Sequence, residues 1–158
     1  MKYRKFVLFT FFTVFFLSIT NLQAQAKKIA DRTPISNSNS IAQAVKSSSA
    51  YAEVLLRKTE RTAELEDLLI EYTEDFPKVK ELRYELDLIN KEMNRITSVN
   101  ATEAGKLTLA LGKLMMRKVE LEVEYWNLQK QYNDEHPDVK QAKRKVDVFE
   151  AAIKDILQ

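Results

Sequence analysis

Residues 57–87 read RKTERTAELEDLLIEYTEDFPKVKELRYELD, and residues 117–147 read RKVELEVEYWNLQKQYNDEHPDVKQAKRKVD. The two stretches form an internal repeat with an offset of 60 residues and no gap. The identical pairs are Arg57/Arg117, Lys58/Lys118, Glu60/Glu120, Glu64/Glu124, Leu68/Leu128, Tyr72/Tyr132, Pro77/Pro137, Val79/Val139, Lys80/Lys140 and Asp87/Asp147. Because sequence repeats of this kind correspond to repeated supersecondary units, we predict two copies of one unit in tandem.

Each repeat has the pattern of two helices joined by a turn. Apolar residues in its second helix follow a 3-4-3-4-3 spacing, which is the seam of a left-handed coiled coil. The seam residues are Val79, Leu82, Leu86, Ile89, Met93 and Ile96 in the first repeat, and Val139, Ala142, Val146, Phe149, Ile153 and Ile156 in the second. The preceding helices carry looser stripes, formed by Tyr51, Val54, Leu65, Leu68 and Tyr72, and by Leu107, Leu111, Leu114, Leu121, Tyr125, Leu128 and Tyr132.

A proline marks the turn of each repeat. Pro77 and Pro137 lack an N–H and restrict the residue before them, so the incoming helix must end there. Proline nevertheless suits the first position of the next helix, and negative charge suits a helix N-terminus. Acidic pairs, Glu74-Asp75 and Asp134-Glu135, stand just ahead. We assign a structural role in these turns to Tyr72, Pro77, Tyr132, His136 and Pro137.

The sequence predicts an all-α fold of two tandem antiparallel helical hairpins, coiled-coil-like, at residues 41–97 and 98–158. The predicted helices span residues 41–73, 77–97, 101–132 and 137–157. Asn100 is the expected cap of the third helix, with Glu103 in the capping-box position. The hairpins could extend end to end as an elongated structure or close into a four-helix bundle. Exposed seams could also pair between chains, which would give a homo-oligomer.

The N-terminus has the features of a secretory signal peptide over residues 1–26. A basic start is followed by a largely apolar run at residues 6–19 and by Ala24-Gln25-Ala26, which suits cleavage after Ala26. The alternative is an inner-membrane anchor formed by residues 6–19, although a spanning helix needs roughly 20 apolar residues. Membrane contact is expected only through this segment. Residues 27–40 are polar, include Pro34 and are predicted to form a flexible tether.

Charge and cysteine content narrow the classes of function. Removal of residues 1–26 takes away three basic residues from 25 and none of the 23 acidic ones, which leaves 22 basic, 23 acidic and a net charge of −1. A near-neutral chain lacks the basic excess of nucleic-acid-binding proteins, so we predict no nucleic-acid partner. The chain has no cysteine, which excludes a disulfide framework.

Residues suited to catalysis or metal binding are few. His136 is the only histidine, and its counterpart in the first repeat is Phe76, so the turn does not require an imidazole. Catalysis and zinc binding both need several converging groups. The acidic pairs before the prolines could bind Ca²⁺, which takes six to eight oxygen ligands, but they also suit a charged helix start. We predict no catalytic residue, no metal, no cofactor and no enzymatic activity.

Three side chains on or beside the apolar stripes are of special interest. Lys58 and Lys118 fall on the stripe at equivalent positions, where a buried lysine could fix the register of a seam. The alternative, which we favour, is that each bends its ammonium group out to water. Trp126 lies beside the stripe and is the candidate for a partner contact, whereas Tyr125 and Tyr132 belong in the core.

Tyr132-Asn133-Asp134-Glu135-His136-Pro137-Asp138-Val139 resembles a turn in the periplasmic coiled coils of polysaccharide chain-length determinant and exopolysaccharide export proteins. Residues 72–79 are a looser copy, with Phe76 in place of the histidine. The resemblance covers the hairpins, about residues 50–157. In that family the turn joins two long antiparallel helices. The resemblance therefore implies a helical hairpin in the periplasm of a Gram-negative-type bacterium.

Two functions fit these observations. The first is a periplasmic scaffold or adaptor that presents long helix faces to protein partners, and the resemblance implies envelope polysaccharide assembly as the process it serves. The alternative is a periplasmic holdase chaperone that grips unfolded envelope proteins. An adaptor predicts one or a few stoichiometric partners, and a holdase predicts many clients. The near-neutral charge counts against the holdase, because a basic cavity would help to attract acidic unfolded chains.

Overall fold

The computed structural model describes residues 37–158, which contain five α-helices, one 3-10 helix and no strand. The α-helices are α1 (Asn37–Lys46), α2 (Ser49–Glu71), α3 (Pro77–Thr97), α4 (Leu109–Gln129) and α5 (Pro137–Leu157), and the 3-10 helix covers Ala101–Lys106. The predicted all-α fold is confirmed. The signal peptide, and the tether as far as residue 36, lie outside the described residues. Because α1 begins at Asn37, it overlaps the predicted tether over residues 37–40.

The first predicted helix, residues 41–73, is in fact two helices with a break at Ser47 and Ser48. The Ser47 hydroxyl donates to the carbonyl of Ala44 at 3.0 Å, where α1 ends. The Ser48 hydroxyl accepts from the N–H of Tyr51 at 3.2 Å and caps α2. Since serine side chains compete with the helical backbone for such bonds, the break follows from the serines at positions 47–49.

The predicted start of the third helix at residue 101 is wrong. Residues 101–106 form a 3-10 helix, and the Asn100 side chain makes no capping hydrogen bond. Helix α4 begins after Thr108, whose hydroxyl accepts from the N–H of Leu111 at 3.3 Å. The cause lies in tertiary structure, because the Leu107 side chain is buried and its carbonyl accepts from the N–H of Ala50 at 3.2 Å. A helix running through Leu107 would use that carbonyl internally.

The two hairpins lie side by side in one bundle, and they do not extend end to end. Helices α2 and α3 form the first hairpin, α4 and α5 the second, and α4 also contacts α2 and α3. Ala50 bonds to Leu107 and Arg57 bonds to Glu120, so α2 and α4 run parallel. Both hairpin turns therefore lie at the same end of the bundle. We call these turns, residues 72–76 and 132–136, the tips.

Burial confirms the predicted seams in part, and α3 carries further buried residues outside its seam. Val79, Leu82, Ile89 and Ile96 of the first seam are buried, as are Val139, Ala142 and Ile153 of the second. On α3 the additional buried residues are Glu85, Leu88 and Glu92. Leu88 belongs to the same apolar cluster as Leu111, Met115 and Val119 of α4. Helix α3 is thus buried on two faces, one toward α2 and one toward α4.

None of the helices within residues 37–158 is long and apolar enough to cross a membrane. Helices α2 and α4 approach each other closely at Gly112. A Cβ atom added there would come within 2.9 Å of the Glu53 Cβ and 3.0 Å of the Ala50 Cα. Glycine permits this approach because it has no side chain to separate the two backbones.

Candidate contact surfaces

The two tips have nearly the same structure. In each, a tyrosine ring stacks on the ring four residues later: Tyr72 on Phe76 at 4.1 Å between centroids, and Tyr132 on His136 at 4.2 Å. Both tyrosine N–H groups bond the carbonyl four residues back, which closes the incoming helix. The N–H of Phe76 or His136 bonds the carbonyl three residues back, which forms the turn. Of the five residues assigned to the turns, Tyr72, Tyr132 and His136 lie in the tips, and Pro77 and Pro137 are the first residues of α3 and α5.

His136 performs the same stacking role as Phe76 and adds one hydrogen bond. Its Nδ1 accepts from the N–H of Asp138 at 3.3 Å, which caps α5. The acidic residues of the tips form ion pairs with the following helix, Asp75 with Lys80 at 2.9 Å and Glu135 with Lys140 at 2.5 Å. The ring stack and the backbone hydrogen bonds favour this conformation of each tip, and the exposed ion pairs add little to them. A rigid tip presents its side chains to a partner with little loss of conformational entropy.

Exposed apolar side chains accompany the tips. Ile70, in the last turn of α2, is 83% exposed and is the most exposed large apolar residue of the described chain. Tyr72 and Tyr132 are also exposed over part of their rings. Exposed aromatic and aliphatic side chains on a rigid support are typical of protein contact sites. The position of Ile70 off the apolar stripe indicates exposure, but no sequence pattern marks it as a contact residue.

Lys118 is buried, so the expectation that its ammonium group reaches water is wrong. Its Nζ donates to Glu92 Oε1 of α3 at 2.6 Å and lies 2.9 Å from Glu150 Oε2 of α5. Glu150 also pairs with Arg95 at 3.0 Å. A lysine at this position therefore joins three helices. Lys58, its counterpart in the first repeat, is half-buried and makes no ion pair within residues 37–158.

The charges of this cluster shift one another's protonation equilibria. Burial alone would lower the pKa of Lys118, but hydrogen bonds with Glu92 and Glu150 outweigh it, and the pKa is raised. Burial works against ionisation of Glu150, yet its bonds to Lys118 and Arg95 lower its pKa. Burial raises the pKa of Glu122, and the nearby Glu92 adds to this effect. The cluster thus holds its lysine charged and stabilises the ionised form of Glu150.

Trp126 lies at the contact between α3 and α4. Its ring stacks on Tyr84 of α3 at 4.5 Å between centroids, and the Lys130 ammonium group lies 2.9 Å from the ring centroid. The next residue, Asn127, donates to Glu81 of α3 at 2.7 Å. Both the stack and the hydrogen bond join the two hairpins. A partner could therefore reach only the edge of this indole ring.

Two open grooves lie along the sides of the bundle. The first, which we call the α4–α5 groove, is lined by Arg117, Gln141, Arg144, Val148 and Phe149, among others. The second lies on the side of α2 that faces away from α4. We call this side, with Leu55, Leu56, Glu60, Glu66 and Asp67, the outer face of α2. Val148, Leu55 and Leu56 are exposed apolar residues, so each side of the bundle offers apolar surface.

Within residues 37–158, no group of three His, Cys, Asp or Glu side chains is placed to hold a metal ion. Comparison with known proteins finds no matching family model, no similar curated protein and no similar solved structure.

Proposed function

We propose that this protein is a periplasmic helical scaffold or adaptor that acts through protein contacts and has no enzymatic activity of its own. One observation carries the proposal: two rigid tips stand side by side at one end of the bundle, with exposed apolar side chains next to them. The resemblance of residues 132–139 to envelope coiled coils suggests polysaccharide assembly as the process served.

The tips support an adaptor because their exposed residues contribute little to the fold. Ile70 is 83% exposed, so folding gains little from its apolar side chain. A protein partner that covered Ile70 and the exposed part of the Tyr72 ring would remove apolar surface from water, worth roughly 25 cal/mol per Å² buried. Apolar and aromatic residues of this kind supply most of the binding energy in protein interfaces.

The test is site-specific crosslinking in the cell that makes the protein. A photo-crosslinking amino acid placed at Ile70 or at Tyr132 should capture the same one or two envelope proteins. Thr97, exposed at the opposite end of the bundle, is the matched control and should not capture them. Ile70→Asp should abolish capture at Tyr132 without changing the thermal midpoint of unfolding. Absence of any partner-specific product at the tips would overturn the proposal.

The holdase alternative is favoured by a different observation, the apolar side chains exposed along the sides of the bundle at Leu56 and Val148. A holdase would use such surfaces for many unfolded clients, with little sequence preference. In the crosslinking experiment it would give a broad set of outer-membrane proteins from positions 56 and 148. That outcome, without dominant products at the tips, would replace the adaptor by the holdase.

Export is tested separately by the N-terminal sequence of the protein recovered from the periplasmic fraction. Cleavage after Ala26 gives a chain that begins at Lys27. A chain that begins at Met1 and stays with the inner membrane would instead support the anchor formed by residues 6–19.

A further inference from the structure

The internal repeat relates the α4–α5 groove to a surface that is already covered within the chain. Subtracting 60 from the groove residues Val148 and Phe149 gives Leu88 and Ile89 of α3. Leu88 is 3% exposed and Ile89 is fully buried, in the cluster that also contains α4 residues. Val148, in contrast, is 66% exposed. The groove of the second hairpin is thus the uncovered counterpart of the surface on which the first hairpin receives α4.

The same offset relates the outer face of α2 to the covering side of α4. Met115 and Met116 of α4 are buried in the core cluster between the hairpins. Their counterparts on α2 are Leu55 and Leu56, both exposed. The apolar residues exposed on the two sides of the bundle are therefore the two unmatched halves of one interface. That interface is formed once within the chain, between the first hairpin and α4.

The charged pair of the inner interface recurs across the two free surfaces. Within the chain, Arg57 donates to Glu120 at 2.7 Å. The counterpart of Arg57 in the groove is Arg117, and the counterpart of Glu120 on the outer face of α2 is Glu60. The same cation and the same carboxylate therefore recur at equivalent positions of the repeat. The arginine lies in the groove and the glutamate lies on the outer face of α2.

An amide–carboxylate pair recurs with its two partners exchanged. Asn127 of α4 donates to Glu81 of α3 at 2.7 Å. The counterpart of Glu81 in the groove is Gln141, and the counterpart of Asn127 on α2 is Asp67. The counterparts are again one amide and one carboxylate. They could therefore form the same kind of hydrogen bond, although both residues differ from those of the inner interface.

The aromatic pair of the inner interface is replaced by a pair of opposite charges. Tyr84 of α3 stacks on Trp126 of α4 at 4.5 Å. Their counterparts are Arg144 in the groove and Glu66 on α2. Both side chains are exposed in the single chain, and oppositely charged groups at facing positions attract. Two polar contacts and one aromatic contact within the chain therefore have complementary counterparts between the groove and the outer face of α2.

We propose that the partner of the α4–α5 groove is α2 of a second copy of this chain, seated as α4 is seated on the first hairpin. The contact joins two different surfaces, so each copy keeps one free groove and one free α2 face. Contacts of this type continue from copy to copy without closing unless the rotation between copies happens to form a ring. The assembly is an array of hairpins in which neighbours alternate between intrachain and interchain contacts.

The contact between copies is weaker than the contact within the chain. Ala52 occupies the position that corresponds to Gly112, so α2 cannot approach its neighbour as closely as α4 does. Ala152 stands where Glu92 would be needed to pair with Lys58. Self-association should accordingly depend on concentration, with a dissociation constant in the range of about 1 μM to 1 mM that weak protein interfaces show.

Sedimentation velocity on the protein in the form that the cell accumulates tests the proposal. The sedimentation coefficient should rise steadily with concentration over that range. Val148→Asp places a charge in the groove, and Leu56→Asp places a charge on the outer face of α2. Each variant should therefore remain monomeric at every concentration. Both residues are largely exposed, so the melting temperature of each monomer should stay within about 2 °C of the parent protein.

A mixture of the two variants distinguishes this contact from any symmetric one. The Val148→Asp chain keeps its α2 face and the Leu56→Asp chain keeps its groove, so together they should form a one-to-one heterodimer and nothing larger. A symmetric dimer built from two copies of one surface would not be rescued by mixing. Failure to form the heterodimer, or a parent protein that stays monomeric up to about 1 mM, would overturn the proposal.

Charge reversal gives an independent check on orientation. Arg144→Glu should weaken self-association at least tenfold, and the double variant Arg144→Glu/Glu66→Arg should restore it, because the reversed charges face each other between copies. Equal weakening by the single and the double variant would show that the two residues do not meet. The groove and the outer face of α2 do not include the tips, so the proposed contact does not rest on the adaptor function.

Discussion

The side chain of Lys118 on α4 makes contacts at 2.6 Å with Glu92 of α3 and at 2.9 Å with Glu150 of α5. Transfer of each ion from water into the protein costs several kcal/mol, and their attraction offsets this cost only when the geometry is good. Such a pair adds little net stability compared with apolar residues of the same volume. Removal of one member of the pair is costly, because the charge of the other member stays buried without a partner.

Lys118→Met should therefore destabilise the protein by about 3 kcal/mol. The variant leaves the Glu92 carboxylate, whose side chain is 5% exposed, without its cation. The measurement is the urea dependence of unfolding, followed by circular dichroism at low protein concentration. The double variant Lys118→Met/Glu92→Leu removes both charges and should recover most of the loss. A single variant as stable as the parent would show that the cluster is hydrated.

The raised pKa of Lys118 predicts that the protein loses stability at alkaline pH. A group with a folded-state pKa above its unfolded value contributes stability that is complete below the unfolded pKa and is lost as pH rises through the folded pKa. The parent protein should lose stability above pH 10.5, the ordinary lysine pKa, by up to about 1.4 kcal/mol per pH unit for this group. Tyr84, whose pKa burial raises, adds to the loss above pH 10.0.

Unfolding free energies measured between pH 9 and pH 12 test this loss of stability. In Lys118→Met/Glu92→Leu the fall should be shallower than in the parent protein, because only the Tyr84 contribution remains of the two. Parallel pH profiles for the two proteins would contradict the assignment. At acid pH the direction is reversed. Because the pKa of Glu150 is lowered in the folded state, its contribution to stability is lost as pH falls below 4.5 and through its folded-state pKa.

The sequence located Lys118 on the apolar stripe but could not show its partners. Glu92 is 26 residues away along the chain and Glu150 lies on α5, so only the packing of three helices brings the carboxylates together. A lone lysine on a helix stripe is usually explained by its flexible stem, which can carry the charge to water. That explanation is wrong here because the stem points into the contact between the hairpins.

At the scale of single elements, local sequence was sufficient for the tips and insufficient for the segment between the hairpins. Pro77 and Pro137 restrict their own backbone and that of the preceding residue, so their effect does not depend on tertiary structure. The segment 98–108 contains an apparent capping box, but the buried side chain and the bonded carbonyl of Leu107 decide its conformation. Those two contacts are long-range and leave no local pattern.

Gly112→Ala tests the close approach of α2 and α4. The added methyl group would lie 2.9 Å from the Glu53 Cβ and 3.1 Å from the Ala50 carbonyl oxygen, so the helices must separate. Alanine has the better helix propensity by about 1 kcal/mol, but overpacking typically costs about 1–3 kcal/mol, so we expect a net destabilisation of up to about 2 kcal/mol. Thermal unfolding at neutral pH measures it.

Gly105→Ala is the matched control. A Cβ atom at Gly105 would have no atom within 4 Å, so this substitution should be neutral or slightly stabilising. If both alanine variants gained stability, helix propensity would outweigh sterics at Gly112, and the contact between α2 and α4 would have to be looser than described.

At the scale of the described bundle, the side-by-side packing of the hairpins was one of two arrangements that the sequence left open. The stripe that α3 turns toward α4 includes Glu81, Leu88 and Glu92, because Glu81 and Glu92 accept hydrogen bonds from α4 and Leu88 packs in a cluster with α4 residues. Two glutamates out of three do not give an apolar pattern, so periodicity could not reveal this face. The seam toward α2 is wholly apolar, so the periodicity of the sequence predicts it.

Leu88→Ala and Val148→Ala form a matched pair at equivalent positions of the repeat. Leu88 is buried in the contact between the hairpins, and its truncation should cost about 3 kcal/mol of unfolding free energy. Val148 lies in the open groove, and its truncation should change the value by less than about 0.5 kcal/mol in the monomer. Urea denaturation at low concentration compares them. Equal losses would mean that Val148 belongs to the monomer core.

Because α2 and α4 run parallel, each copy places both of its tips at the same end, and a row of copies would place every tip along one edge. A target that carries a single matching site would gain nothing from the row. A target with repeated sites would bind several tips at once, and avidity could then exceed the affinity of one tip by roughly 10²–10⁴-fold. The protein would in this way discriminate assembled from unassembled targets, and its own abundance would set the threshold.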